Sequence, residues 1–188
     1  MDQLTELAVA AARGDHGALD ALVRLTQTDV WRFCAAFGGI DAADDLTQDT
    51  FARAIQSLHR FRAESSARTW LLTIARNACA DHVRRNVRRR RLTDRLRSVS
   101  TADAYVVADH GGGTDLDALV AALEPERRLA FVLTQTLGLS YAEAAEVCSC
   151  PVGTIRSRVS RSREELVLAV AANEHPDAIA GSPATGSD

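Results

Sequence analysis

Apolar residues recur with a helical period along most of the chain, and short polar or glycine-containing breaks divide that pattern into segments. Leu4, Leu7 and Ala11 mark one face, and Leu19, Leu22, Val23 and Val30 resume the period after a break near Gly14-Asp15. Residues 4–37 therefore predict two helices, ended by Gly38-Gly39. Asp41 is a candidate cap for the next helix, with Asp44 and Asp45 favoured by the dipole in its first turn. That helix runs to about Leu58 and carries an apolar stripe of Leu46, Phe51, Ala54, Ile55 and Leu58. A short connection at 60–66 leads to a longer helix, about 67–91, whose core stripe is Trp70, Leu71, Ile74, Ala75 and Ala78.

The periodicity stops beyond residue 92. Ser98-Val-Ser-Thr and His110-Gly-Gly-Gly-Thr114 read as a linker. The pattern resumes near Asp117 with Leu119, Val120 and Leu123, and a helix from Glu126 to about Leu137 ends at Gly138. Ser140 and Glu143 have capping-box spacing at the start of a further helix. A turn at Cys148-Ser-Cys150 follows, and Pro151 suits the first turn of a last helix. Val152, Ile155, Val159 and Leu166 give that helix one buried stripe. From Asn173 onward the sequence is polar, with Gly and Pro, and is expected to be disordered. The expected fold is all-α, with two small helical domains joined by a flexible linker. The domain layout is 1–92, linker 93–116, 117–174 and tail 175–188.

Composition changes this picture in several ways. Ala and Leu are abundant, which supports helices throughout. No apolar run approaches the ~20 residues a membrane span needs, and the N-terminus lacks a basic lead before an apolar stretch, so a cytoplasmic protein without membrane insertion is expected. All 22 basic residues are arginine. The net charge of −3 conceals segregated blocks, acidic at 41–49 and 115–126 and basic at 60–97 and 156–163, which suits partners of both signs. Cys148-x-Cys150 is too tight for a usual zinc pair, and Cys34, Cys79, Cys148 and Cys150 read as small buried side chains. No metal or other cofactor is expected. Neither is an enzyme, because the chain has no Gly-rich phosphate loop, ligand cluster or nucleophile triad signature.

Three segments carry candidate chemistry. Asp45, Gln48, Asp49 and Gln56 share a face of the helix at 43–58, either a docking surface for a basic partner or a solvated face. The helix beyond Ser66 ends in Arg84-Arg85 and Arg88-Arg-Arg-Arg91, a block that attracts nucleic acid by counterion release or serves as a general basic tail. The loop before it combines arginines with Phe61 and could hold an unstacked base, or be a connector with Phe61 packed inward. Residues 139–166 fit a helix-turn-helix, whose second helix presents Thr154, Arg156, Ser157, Arg158, Ser160, Arg161 and Arg163; an αα-hairpin with a solvated basic face is the alternative. Arginine forks match guanine edges and phosphates, while Ser and Thr reach bases or backbone.

Together these segments resemble the extracytoplasmic-function sigma factors of bacterial RNA polymerase, and among them the sigma-C-like group of actinobacteria. Asp44-Asp-Leu-Thr-Gln-Asp-Thr-Phe51 resembles that family's polymerase-binding helix. Phe61-Arg-Ala-Glu-Ser-Ser-Ala-Arg-Thr-Trp-Leu71 and Ile74-Ala-Arg-Asn77 resemble its −10 element. Gly138-Leu-Ser-Tyr-Ala-Glu143 and Cys150-Pro-Val-Gly-Thr-Ile-Arg-Ser-Arg158 resemble its −35 reader. The resemblance implies that Asp45, Gln48, Asp49 and Phe51 belong to a helix docking on core RNA polymerase, with Phe51 as core. It assigns Ser65, Ser66, Arg68, Arg76, Asn77, Asp81 and Arg84 to −10 DNA, and Thr154, Arg156, Ser157, Ser160 and Arg161 to −35 DNA. Implied partners are the polymerase clamp and flap regions, promoter DNA and an anti-sigma factor. Ser149 stands where the family often has Gly, so the turn must place Ser at positive φ, which it accepts less readily. A stand-alone helix-turn-helix regulator is the alternative function, but it leaves the Asp44–Phe51 helix without a task.

Overall fold

The computed structural model describes residues 2–96 and 115–174, and every regular element among them is helical. Most of the expected linker at 93–116, and the tail at 175–188, lie outside the described residues. The first group comprises α1 (Gln3–Ala12), α2 (His16–Gly38), α3 (Ala43–Ser57) and α4 (Ala67–Leu96). The second comprises α5 (Asp115–Ala122), α6 (Pro125–Phe131), α7 (Tyr141–Cys148) and α8 (Val152–Glu174). Helix α4 thus continues past the expected Arg91.

Local chemistry sets most boundaries. Asp2 and Asp15 cap α1 and α2, accepting from the backbone N–H of Thr5 and Ala18 at 3.1 and 3.0 Å. Gly39, at φ 88°, ends α2. Gly38 is tight for a different reason: a Cβ there would fall 2.0 Å from Leu46 Cδ1, so the buried Leu46 side chain would have to move. This closeness lets α3 fold back tightly on α2. Asp41 does not cap α3. It lies in a 3-10 turn, Ile40–Ala42, that leads directly into the helix, and α3 has no side-chain cap. The turn already brings the chain in with helical geometry, so the capping position falls on Ala42. Asp44 instead accepts from the indole N–H of Trp31 at 2.7 Å, tying α3 to α2.

Two predicted stripes need correction. Ile55 is exposed, whereas Thr47 and Thr50 are buried beside Leu46, Ala54 and Leu58. Each threonine hydroxyl donates to the carbonyl four residues back at 2.7 Å, which satisfies its hydrogen bond and makes it an acceptable core residue. In α8, Val152 is exposed, and Ser162 completes the stripe of Ile155, Val159 and Leu166. The Ser162 hydroxyl lies 2.8 and 3.1 Å from the carbonyls of Arg158 and Arg127.

The main core is continuous across both groups. Val30, Phe33 and Cys34 of α2 and Leu72, Ala75, Ala78 and Cys79 of α4 join Leu133, Leu139, Val147, Ile155 and Val159 in one buried cluster. A smaller cluster of Ala8, Leu22, Ala54, Ala67 and Leu71 holds α1–α4 together. The helix-turn-helix of α7 and α8 is therefore seated on α4 rather than held apart from it.

Candidate nucleic-acid interface

The outer face of α3 presents Asp45 and Gln48 to solvent, with Asp49 half-buried and Phe51 packed inward against both clusters. Asp49 pairs with Arg53 at 2.9 Å, Arg53 with Asp81 at 2.8 Å, and Asp81 with Arg84 at 2.6 Å. This chain of charges bolts α3 to α4. Hydrogen bonds from Arg53 first, then Arg84, hold the Asp81 carboxyl down at about 2. Arg53 was invisible to the sequence reading, because its partner on α4 lies 28 residues away.

The segment before α4 is tightly organised. The Phe61 ring lies 5.0 Å from that of Trp70, tilted 48°, so Phe61 does pack inward. Ala63 is left-handed at φ 56°, a conformation that strains a residue with a Cβ. Ser65 is half-buried, while the Ser66 hydroxyl accepts from the Thr69 N–H at 3.1 Å and opens α4. Thr5 also accepts from the Ala67 N–H at 3.0 Å, so α1 braces the same corner.

Arg68 and Arg76 do not project freely. Arg68 pairs with Asp29 at 2.6 Å and donates to the carbonyl of Leu137; Arg76 donates to the carbonyl of Val147 at 3.5 Å. Both acceptors lie at helix C-termini. Helix α6 continues through Val132–Thr136 in the wider π form, leaving Leu137 just past its end, and Val147 is in the last turn of α7. Terminal carbonyls lack intrahelical donors and carry the negative end of the dipole, so they attract guanidinium groups. Beyond Asn77, Arg84, Arg85, Arg88 and Arg89 are exposed along α4 and make its basic ridge.

The helix-turn-helix has the expected chemistry. Ser140 and Glu143 form the full capping box, at 3.2 and 2.8 Å. Ser149 takes the left-handed turn position at φ 54°, ψ 45°, held by backbone bonds from Ser149 and Cys150 to Glu146 and Ala145. Pro151 stands just before α8, with its carbonyl accepting from the Thr154 N–H at 2.9 Å. On α8, Arg156, Ser157, Ser160 and Arg161 are exposed and Thr154 half-buried. Ser160 donates to Glu164 at 3.1 Å and Ser157 to the Thr154 carbonyl at 3.0 Å. Arg156 and Arg161 make no hydrogen bond or ion pair with the described residues, which leaves both forks available to a ligand.

Arg128 is a second contact the sequence did not reveal. Its guanidinium sits 5.3 Å over the Phe37 ring of α2 and donates to the Ala121 carbonyl at 2.9 Å. Burial pushes its pKa down, and its Nε is buried without a partner among the described residues. It lines a cleft of about 630 Å³ between α2, α5 and α6, together with Trp31, Ala36, Val120 and Phe131.

Residues 22–91 match the family Sigma-70 region 2, and residues 114–166 match Sigma-70, region 4. The chain is 47% identical over 184 residues to the "ECF RNA polymerase sigma factor SigC" of Mycobacterium tuberculosis (strain CDC 1551 / Oshkosh), covering 96% of both chains. It is also 47% identical to the "Probable RNA polymerase sigma-C factor" of Mycobacterium bovis, with the same coverage. Among solved structures, CnrH in complex with the cytosolic domain of CnrY superposes with a TM-score of 0.70 at 27% identity, over 91% of this chain and 99% of that one. The sigma factor RpoE of Bartonella quintana, in complex with the anti-sigma factor NepR, gives 0.67 at 30% identity, over 81% and 96%.

Proposed function

The chain belongs to the extracytoplasmic-function sigma factors of RNA polymerase, in their sigma-C-like group, and from that premise we propose which of its surfaces meets which partner. As a sigma factor it binds core RNA polymerase and directs it to promoter DNA. Residues 1–92 act as the polymerase-binding and −10 domain, 117–174 as the −35 domain and 175–188 as the tail; the linker expected at 93–116 is shorter at both ends, because α4 runs to Leu96 and α5 begins at Asp115. Asp45, Gln48 and Asp49 form the docking face for the polymerase clamp, supported by the exposure of the first two on α3. The observation that carries the DNA reading is the outer face of α8, where Arg156 and Arg161 are exposed and unpaired among the described residues. With Thr154, Ser157 and Ser160 they read the −35 element in the major groove.

At the −10 element, the braced segment from Phe61 to Ser66 and the residues Arg68, Arg76, Asn77, Asp81 and Arg84 engage the opening strand. Arg68 and Arg76 are spent on Leu137 and Val147 in this arrangement, so promoter engagement requires α6 and α7 to leave α4. Polymerase supplies that separation by binding each domain at its own site. The two promoter contacts then act bivalently, the second gaining effective concentration from the first. Capture of the open strand shifts the melting equilibrium by differential affinity. The protein performs no chemistry of its own; phosphodiester synthesis belongs to the polymerase, and its place of action is the cytoplasm, where polymerase and DNA meet. An anti-sigma factor is the inhibitory partner, a reading supported by the RpoE–NepR complex.

Run-off transcription with purified core polymerase and a pool of genomic promoter fragments tests this reading. Core-dependent, promoter-selective transcripts are expected. Binding to a palindromic duplex without polymerase, and no transcripts, would establish the stand-alone regulator instead.

A further inference from the structure

The turn between α7 and α8 holds two thiols that neither DNA reading nor polymerase docking uses. Cys148 is the last residue of α7 and is buried at 7% exposure, while Cys150 is half-buried. Ser149 between them is left-handed, so the chain bends at that residue as sharply as in a helix. Such a bend brings Cα atoms two residues apart into the roughly 4.4–6.8 Å range that disulfides span.

Cys150 has a cation beside it. Arg158 Nη1 lies 3.7 Å from its sulfur, and Arg158 is itself fixed by an ion pair with Glu126. A partly exposed sulfur next to a guanidinium is the setting in which cysteines react. Cys148 is the complement: it is buried, and burial pushes its thiol up to about 12, so Cys150 and not Cys148 is the sulfur that meets a peroxide first. The other pair, Cys34 and Cys79, differs in access: their exposures are 0% and 3%, so although the interaction with Cys79 lowers the Cys34 thiol, no peroxide reaches either sulfur in the folded chain.

We propose that Cys148 and Cys150 form an oxidisable dithiol site whose substrate is a hydroperoxide. The Cys150 thiolate attacks one peroxide oxygen. An S–O bond forms, the O–O bond breaks, and the sulfur's two electrons leave with the second oxygen, which takes up a proton as water. The Cys148 sulfur then attacks the sulfenic sulfur of Cys150. An S–S bond forms, the S–O bond breaks, and the departing hydroxide combines with the Cys148 proton as water. In sum, two thiols and one hydrogen peroxide give one disulfide and two waters. Because Cys148 packs in the shared core beside Val147, the new bond pins the turn at the point where α7 meets α4.

Trypsin separates the candidates, since cleavage at arginine leaves Cys148 and Cys150 together in peptide 129–156, Cys34 in 33–53 and Cys79 in 77–84. The reduced full-length chain is treated with dilute hydrogen peroxide, alkylated in denaturant, digested and weighed. The expected product is peptide 129–156 unalkylated and lighter by two hydrogens, with the other two peptides alkylated. Cys148→Ser should instead accumulate a dimedone-trapped sulfenic acid on Cys150, and Cys150→Ser should leave residue 148 unmodified. Arg158→Gln should slow the oxidation several-fold without changing its product. Linkage of 33–53 to 77–84, an adduct first on Cys148, or full alkylation of 129–156 after excess peroxide would each overturn the proposal.

Discussion

Arg68, in the first turn of α4, hydrogen-bonds the carbonyl of Leu137, 69 residues further along the chain. The same guanidinium pairs with Asp29 of α2, so one side chain joins three elements. Arg76 repeats the contact two turns later, on the carbonyl of Val147. The surface proposed to engage the −10 strand is thereby also the seat of the helix-turn-helix.

Arg68→Ala should weaken that seat. It leaves Asp29 and the Leu137 carbonyl without their donor, a loss of roughly 1–3 kcal/mol for part-buried groups. Faster amide hydrogen exchange in α6 and α7, with α1 and α3 little changed, is the expected reading. Uniform protection throughout would show that the apolar core alone holds the two groups together.

Arg156→Ala and Arg161→Ala should leave the fold intact, because neither side chain has a partner among the described residues. Each should cost roughly 1–3 kcal/mol of −35 binding and relax the preference for one base position if it reads a base edge. Binding to a mutated-site panel checks this. An equal loss on every sequence would assign the residue to phosphate.

The Asp81 carboxyl gives a pH prediction. Its pKa of about 2 lies below the ~3.9 of an unfolded chain, so the folded protein binds that proton less readily. The stabilisation is present in full above the unfolded value and is lost as pH falls from about 4 towards 2. NMR titration of the carboxyl carbons should find Asp81 lowest in wild type and returned towards the ordinary range in Arg53→Ala. An unchanged value would mean that Arg84 alone holds it.

In α8, Ile155→Ala should destabilise by about 2–5 kcal/mol, since the side chain is fully buried. Val152→Ala should stay within about 0.5 kcal/mol, because that side chain is 40% exposed. Denaturant unfolding of both variants checks the corrected stripe. Similar losses at the two positions would restore Val152 to it.

The helices, their breaks and the Ser140–Glu143 capping box were legible in the sequence because they rest on neighbours within a turn or two. The break at Gly14-Asp15 and the Ser149 turn likewise need only local atoms, whereas Asp41, expected to cap α3, lies in the turn that precedes it. Family membership was equally local, carried by short motifs in order, and residues 22–91 and 114–166 match the two corresponding families. Which side of a helix turns inward was less legible. Ile55 and Val152 obey the period yet face water, while Thr50 and Ser162 are buried because a backbone carbonyl on their own helix meets their hydroxyl. Only the tertiary structure decided the contacts between the two groups. Arg68 on Leu137, Arg76 on Val147 and Arg128 over Phe37 join residues that no periodicity relates. An arginine near a helix end can serve DNA or a distant carbonyl equally well by its composition. The choice depends on where the chain's other half comes to rest.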